Sequence, residues 1–183
     1  MPITFTELCD AFTRARQSYL DYREESFQLA EKIYHEMISY LGCSENDLKL
    51  VPDKEDYDDT LTYTPAGASC LGDDSFWHIG FILQLKATNC EGPFESVRFA
   101  ILFRKTPNGY STKIASKATE FNIIFDDPST FNVLFDDLFI HIKESYDVGF
   151  KDFLSTGKAP HNIGFDIGNL RDNMRCRILR QNH

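Results

Sequence analysis

The sequence contains no apolar run approaching the roughly 20 residues that a bilayer-spanning helix needs, so no membrane span is expected. Its start, Met1-Pro2-Ile3-Thr4, has neither a basic leader nor an apolar stretch behind it, and a secretory signal is not expected. Cysteine is sparse and odd in number. Cys9, Cys43, Cys70, Cys90 and Cys176 include no pair at Cys-x-x-Cys spacing. A disulfide framework or a structural zinc site needs closer, paired placement, so reduced thiols and a cytoplasmic location are expected. Histidine is equally scattered. His35, His78, His141, His161 and His183 share no metal-ligand spacing, and Ser39 stands where a His-Glu-x-x-His motif starting at His35 needs its second histidine. Gly164 and Gly168 do not follow a strand and open a helix as a phosphate-cradling loop requires. No cofactor is expected.

Basic residues are the other shortage. Nineteen Lys and Arg face 28 Asp and Glu, a net charge of −9 over 183 residues. Arg171, Arg175, Arg177 and Arg180 stand against Asp172 alone after Leu170, a local +3 that leaves −12 for the remainder. An acidic body repels phosphate backbones at long range, so nucleic acid is not an expected partner except through that tail. Leu170, Met174 and Ile178 recur at helical spacing there. The tail reads as a short basic amphipathic helix that could dock on the acidic body, another protein or an anionic surface, with Arg171 and Arg175 as contacts.

Apolar side chains are plentiful: 42% of the residues are hydrophobic and 14% aromatic, with 16 Phe and 8 Tyr. That is enough for a core, and the length suits one domain. Thr4 and Glu7 form a capping box ahead of a first helix, with Ile3 and Leu8 at the positions of a hydrophobic staple. Phe5, Leu8, Phe12, Ala15, Tyr19, Tyr22, Leu29, Ile33 and Tyr40 follow a 3-4 rhythm, and Ser26 and Glu36 fall in the same seam. Gly42 stands where a left-handed residue ends a helix. A rod over 5–41 would be about 55 Å long at 1.5 Å per residue. A globule of this size has a radius of gyration of roughly 16 Å. Either the helix breaks, with 18–26 as the expected place, or a partner covers its end. After Phe27 the apolar face is broad and suits a sheet. Before Tyr22 it is narrow, flanked by Arg14, Arg16 and Gln17, and suits a helix–helix seam.

The middle alternates with period two. Leu48–Val51 reads as a short edge strand and 60–64 as another, broken by Pro65-Ala66-Gly67. Residues 75–88 put Trp77, Ile79, Phe81, Leu83 and Leu85 on one face, and 96–106 put Val97, Phe99, Ile101 and Phe103 inward. Asn108-Gly109 predicts a type I′ hairpin into a third long strand over 111–124. Asp127-Pro128 opens a second helix, which Gly157 ends, with Phe131, Leu134, Phe135, Leu138, Ile142, Tyr146, Phe150 and Phe153 inward. Strands grouped between helices predict an α+β fold. It comprises a long N-terminal helix, an antiparallel meander of three to five strands, a long second helix packed on the sheet, and a short basic C-terminal helix or tail. Residues 1–183 form one domain, in which 1–26 is a candidate protruding interface segment and 158–183 a loop with the basic tail.

Asp73 and Asp74, followed by Gln84-x-Lys86 on a strand, resemble the metal-dependent nuclease pattern of the PD-(D/E)XK type, with glutamine in place of the usual acid. That resemblance implies a divalent cation on Asp73 and Asp74, with Glu31 as a further ligand, and Lys86 supporting the attacking water. The more ordinary reading makes Gln84 and Lys86 the solvent face of an amphipathic strand. Cys70 with His78 or His141 could make a nucleophile pair only with an exposed thiol of lowered pKa. The acidic run from Asp53 to Asp59 lacks the glycine and glutamate of a calcium loop. It reads as a solvated loop, or as a dock for a basic partner with Tyr57 as aromatic anchor. A meander closed by two helices could also enclose a small-ligand pocket lined by Phe side chains and Trp77. The expected function is a non-catalytic protein-binding, adaptor or inhibitor-type protein. Its helical interface holds Phe5, Leu8, Phe12, Tyr19 and Tyr22, possible as a homodimer seam.

Overall fold

A computed structural model describes residues 3–54, 57–58, 60–86, 95–156 and 166–167, with backbone alone for 148–156 and 166–167. The element order is α1 (Phe5–Leu41), β1 (Leu48–Val51), a single turn α2 (Pro65–Ala68), β2 (Ser69–Leu71), β3 (Trp77–Leu85), β4 (Glu95–Thr106), β5 (Gly109–Ile114), β6 (Glu120–Ile123), α3 (Pro128–Thr156) and β7 (Asp166–Ile167). The fold is α+β, as the sequence predicts. The sheet runs β1-β3-β4-β5-β6 and every described pairing is antiparallel. Two short strands fill gaps along its edges: β2 follows β1 alongside β3, and β7 follows β5 alongside β4.

Period-two alternation sorts the sheet into two faces. Trp77, Ile79, Phe81, Val97, Phe99, Ile101 and Phe103 point toward the helices. There they meet Leu29, Ile33 and Met37 of α1 and Phe131, Leu134, Phe135 and Leu138 of α3, all fully buried. Phe81 and Phe99 stack at 5.3 Å, and Phe99 meets Phe139 edge-on at 6.2 Å. On the opposite face Phe76 folds over Ala100 and Leu102 as a separate small cluster. The Arg104 guanidinium and the Lys113 ammonium lie over its ring at 4.5 and 4.3 Å.

Four expectations need correcting. The helix does not break at 18–26; α1 is continuous over 37 residues. The Ser18 and Ser26 hydroxyls donate to the carbonyls of Arg14 and Tyr22 one turn back, so the polar side chains are satisfied without leaving the helix. The third strand over 111–124 is two, β5 and β6. Between Ile114 and Phe121 no large apolar side chain holds the sheet, and the chain turns at Ala115-Ser116, closed by Lys117 N–H donating to the Ile114 carbonyl, while the Lys117 ammonium reaches the Asp137 carboxylate at 2.7 Å. The hairpin before β5 is not type I′. Its two loop residues are Pro107 and Asn108, Thr106 pairs with Gly109, and Gly109 rather than Asn108 takes positive φ, at 129°. Proline cannot adopt positive φ, so the turn must place it in the right-handed region. Finally, 60–64 is not a strand; it leads into α2, capped by Thr64, and the strand is β2 just beyond. Gly157 and the basic tail lie outside the described residues.

Candidate functional site

The α1 helix is held at one end only. Its start is fixed locally: Thr4 N–H donates to Glu7 Oε2 at 2.7 Å and Glu7 N–H to Thr4 Oγ1 at 3.3 Å, completing the predicted capping box. The backbone hydrogen bond from Thr4 holds the Glu7 carboxyl below its usual pKa, as a carboxylate at a helix N-terminus should be. Gly42 ends the helix with φ 62°. Between these caps the two halves differ completely. From Ser26 onward the seam residues Ser26, Leu29 and Ile33 are buried on the sheet. Residues 3–19 are all exposed. Phe5 is 82% exposed, Leu8 58%, Phe12 68% and Tyr19 48%.

The body takes hold at Tyr22. Its ring lies 6.2 Å from Trp77, Phe27 meets Trp77 edge-on at 5.4 Å, and the Glu25 carboxylate pairs with the Lys105 ammonium. Before that point the helix satisfies its polar side chains by itself, as with Gln17 Nε2 to Asp21 at 2.8 Å. About 17 residues therefore project beyond the sheet, roughly 25 Å of helix. The projecting and docked stripes are one stripe. Positions 5, 8, 12, 15, 19 and 22 continue as 26, 29 and 33 with the 3-4 spacing of a packing seam. The structure thus brings Phe5, Leu8, Phe12 and Tyr19 to one open face, with Tyr22 at its base.

The nuclease-like set is not assembled. Asp74 lies before β3 and Gln84 near its far end, so the continuous strand sets them about 23 Å apart at 3.3 Å per residue. The Lys86 ammonium binds the Asp47 carboxylate, whose pKa that hydrogen bond, with those from Ser44, holds down to about 2. Glu31 faces solvent on α1 with His35 at 3.9 Å. Neither Lys86 nor Glu31 is near Asp73 and Asp74 in the way the resemblance implies. The Cys70–His78 pair fails chemically. The two residues are opposite each other in β2 and β3, but burial pushes the Cys70 thiol pKa up and both His78 nitrogens are occupied. His141 Nδ1 sits 2.7 Å from its own helix carbonyl at Asp137.

The acidic run is fastened to its own sheet rather than free. Arg98 donates to the carbonyls of Pro52 and Lys54 and lies over the Tyr57 ring at 4.7 Å. Tyr57 is thereby engaged within the chain; residues 55, 56 and 59 lie outside the described ones. Beneath this loop a cleft of about 480 Å³ opens, lined by Tyr34, Tyr57, Tyr63, Lys49, Glu45 and Gln84 among others. It is not a pocket of Phe side chains and Trp77; of the two readings the sequence allows for those side chains, they take the ordinary one and fill the core.

One cluster escapes sequence reasoning. His78 Nδ1 lies 2.9 Å from Asp53 and Nε2 3.0 Å from Asp74, so a doubly protonated ring donates to two carboxylates. Burial opposes the charge, but the hydrogen bonds to Asp74 and Asp53 outweigh it and raise the His78 pKa. The same bond lowers that of Asp74. Asp53 is too distant in sequence to suggest the pairing. A raised histidine pKa stabilises the fold fully below the ordinary value near 6.5 and ceases to do so as pH climbs through the folded value. The lowered Asp74 acts oppositely, its contribution vanishing as pH falls through its folded pKa. We expect Tm to fall as pH rises through the raised pKa of His78, and His78→Asn to flatten that dependence in thermal scans from pH 6 to 9. An unchanged slope in the variant would show the ring to be uninvolved. A Cβ at Gly72 would lie 2.6 Å from His78 Nε2 and 2.7 Å from Asp74, so Gly72→Ala is expected to flatten it as well.

Among the described residues no helix is long and apolar enough to cross a membrane, and no group of His, Cys, Asp and Glu is placed to hold a metal ion. Arg171 and Arg175 lie outside the described residues. Compared with models of known protein families, with curated proteins and with solved structures, the chain matches none.

Proposed function

We propose that this chain is a non-catalytic protein-binding protein, an adaptor or complex subunit, that docks through the projecting half of α1. One observation carries the reading. A single seam is buried against the sheet from Ser26 onward, yet from Phe5 to Tyr19 it presents large apolar side chains to water. Scattered exposed apolar residues are ordinary on a protein surface. A continuous stripe at packing periodicity is not, and such patches mark interaction surfaces. Arg14 and Arg16 stand against Glu7, Asp10 and Asp21 over residues 3–22, so most of the chain's −9 lies outside the projecting helix and the stripe itself is close to neutral.

The test is a double substitution, Phe12→Asp with Tyr19→Asp. Neither side chain touches the body, so circular dichroism and Tm of dilute protein should be retained. Association measured by light scattering should be lost. Unchanged assembly in a folded variant would count against the stripe as the docking surface.

A further inference from the structure

Resting on that reading of the stripe, we infer that its occupant is a second copy of the same chain. The two α1 helices cross antiparallel about a two-fold axis, with Phe5 opposite the partner's Tyr22, Leu8 opposite the partner's Tyr19 and Phe12 opposite the partner's Ala15. Three features of the chain support this register.

The first is length. The open stripe begins at the capped start of the helix and ends where the sheet takes over at Tyr22. Antiparallel overlay of two such stripes uses all of each one. The partner's first helical turn stops beside Tyr22, short of the buried Ser26.

The second is exclusion of the alternative. Parallel helices would turn the same seam toward each other along their whole length. From Ser26 that seam already faces the chain's own sheet. Two parallel copies would drive both sheets onto the axis. Antiparallel copies place the two bodies at opposite ends.

The third is complementarity of size and charge. The largest open ring in the middle, Phe12, falls against alanine, the smallest member of the stripe, and the two-fold axis repeats this fit. Phe5 falls on Tyr22, whose other side rests on Trp77, extending an aromatic cluster from one copy into the other. Flanking positions set Arg16 beside the partner's Cys9 and Glu25 beside the partner's Thr4, so no like charges are directly opposed. Covering the exposed fractions of Ile3, Phe5, Leu8, Phe12 and Tyr19 completely in both copies would remove about 1,200 Å² of surface, so this seam buries at most the lower end of what specific interfaces bury. A reversible dimer is the expected outcome.

Cysteine cross-linking in the full chain reads the register. In the inferred dimer the two Leu8 positions lie about 16 Å apart along the axis, too far for a bridge, which needs Cα atoms within about 7 Å. The same holds for the two Tyr19 positions, whereas Leu8 and the partner's Tyr19 are adjacent. In a Cys9→Ser background, which removes the exposed native thiol beside the seam, Leu8→Cys alone and Tyr19→Cys alone should therefore give no link at their introduced cysteines under mild oxidation. An equimolar mixture should give a covalent dimer whose linked peptides, identified by mass spectrometry, join positions 8 and 19. Wild-type protein should sediment as a dimer at on the order of 100 µM, as an interface of this size allows. Self-linking of Leu8→Cys would overturn the antiparallel register. A wild-type monomer at that concentration, with no link in the mixture, would overturn the second copy as occupant. The second copy fails alone if the amides of residues 5–19 exchange rapidly in that monomer, leaving an open stripe for a different protein; slow exchange there would show the stripe covered within the chain and remove the docking reading as well. A dimer that persists in the Phe12→Asp, Tyr19→Asp protein would overturn both.

Discussion

Leu29→Ala is expected to cost about 2–5 kcal/mol of folding stability, the range for removing a buried leucine. Leu8→Ala, on the same stripe of the same helix, should leave the stability of dilute protein within about 0.5 kcal/mol. Leu29 is fully buried among the core side chains, and Leu8 is 58% exposed on the projecting turns. Intrinsic helix propensity favours both residues similarly, so it does not separate them. The contrast arises from packing alone. Chemical denaturation at low protein concentration measures it, and equal losses at the two positions would mean that the projecting half is packed against something in the single chain.

Truncation gives the second large effect. Removing residues 1–19 should abolish association while leaving a folded body. The core is built by the second half of α1, by α3 and by the sheet, and among the described residues none of its buried members precedes Ser26. The new helix start loses the Thr4–Glu7 capping box, a loss of about 1 kcal/mol for a helix still anchored at Tyr22. The full chain should show a Tm that rises with protein concentration, because dimerisation draws on the folded state. The truncated chain should show a Tm independent of concentration. A concentration dependence that survives truncation would place the interface on the body.

Much of this was legible in the residues. Thr4, Glu7 and Gly42 mark the ends of α1 by local chemistry, and local chemistry decided them. The alternation in β3 and β4 reported the core face correctly because most of the large apolar side chains of both strands lie on the helix side, while the other side carries mainly smaller or polar residues, covered in β4 by the Phe76 cluster. The errors share a cause as well. The run from Ser18 to Ser26 is polar, but it contains neither glycine nor proline, and polarity alone does not end a helix whose hydroxyls can bond one turn back. The β5–β6 turn contains no glycine or proline either, so nothing in the period-two pattern announced it; the Lys117–Asp137 contact that anchors it joins residues 20 positions apart. The separation of Asp74 from Gln84 was implicit in reading 75–88 as one strand, since a straight strand keeps its ends apart. The His78 cluster was not legible, because Asp53 reaches it only once β1 has been laid beside β3.

The projecting helix also has a dynamic consequence. A helix of about 15 residues is marginal in water on its own, and the roughly 17 projecting residues of α1 exceed that length only slightly. The projecting turns of α1 are stabilised only by their cap and by continuity with the docked half. They should therefore fray when free and become ordered when covered, which makes their amides sensitive reporters of a neighbour. Amide hydrogen exchange over residues 5–22 of the full-length chain, measured at low and at high protein concentration, tests the central claim most directly. Rapid exchange in dilute solution, slowing as concentration rises and restored by Phe12→Asp, is the predicted result. Slow exchange at every concentration, in a particle with the mass of one chain, would contradict it.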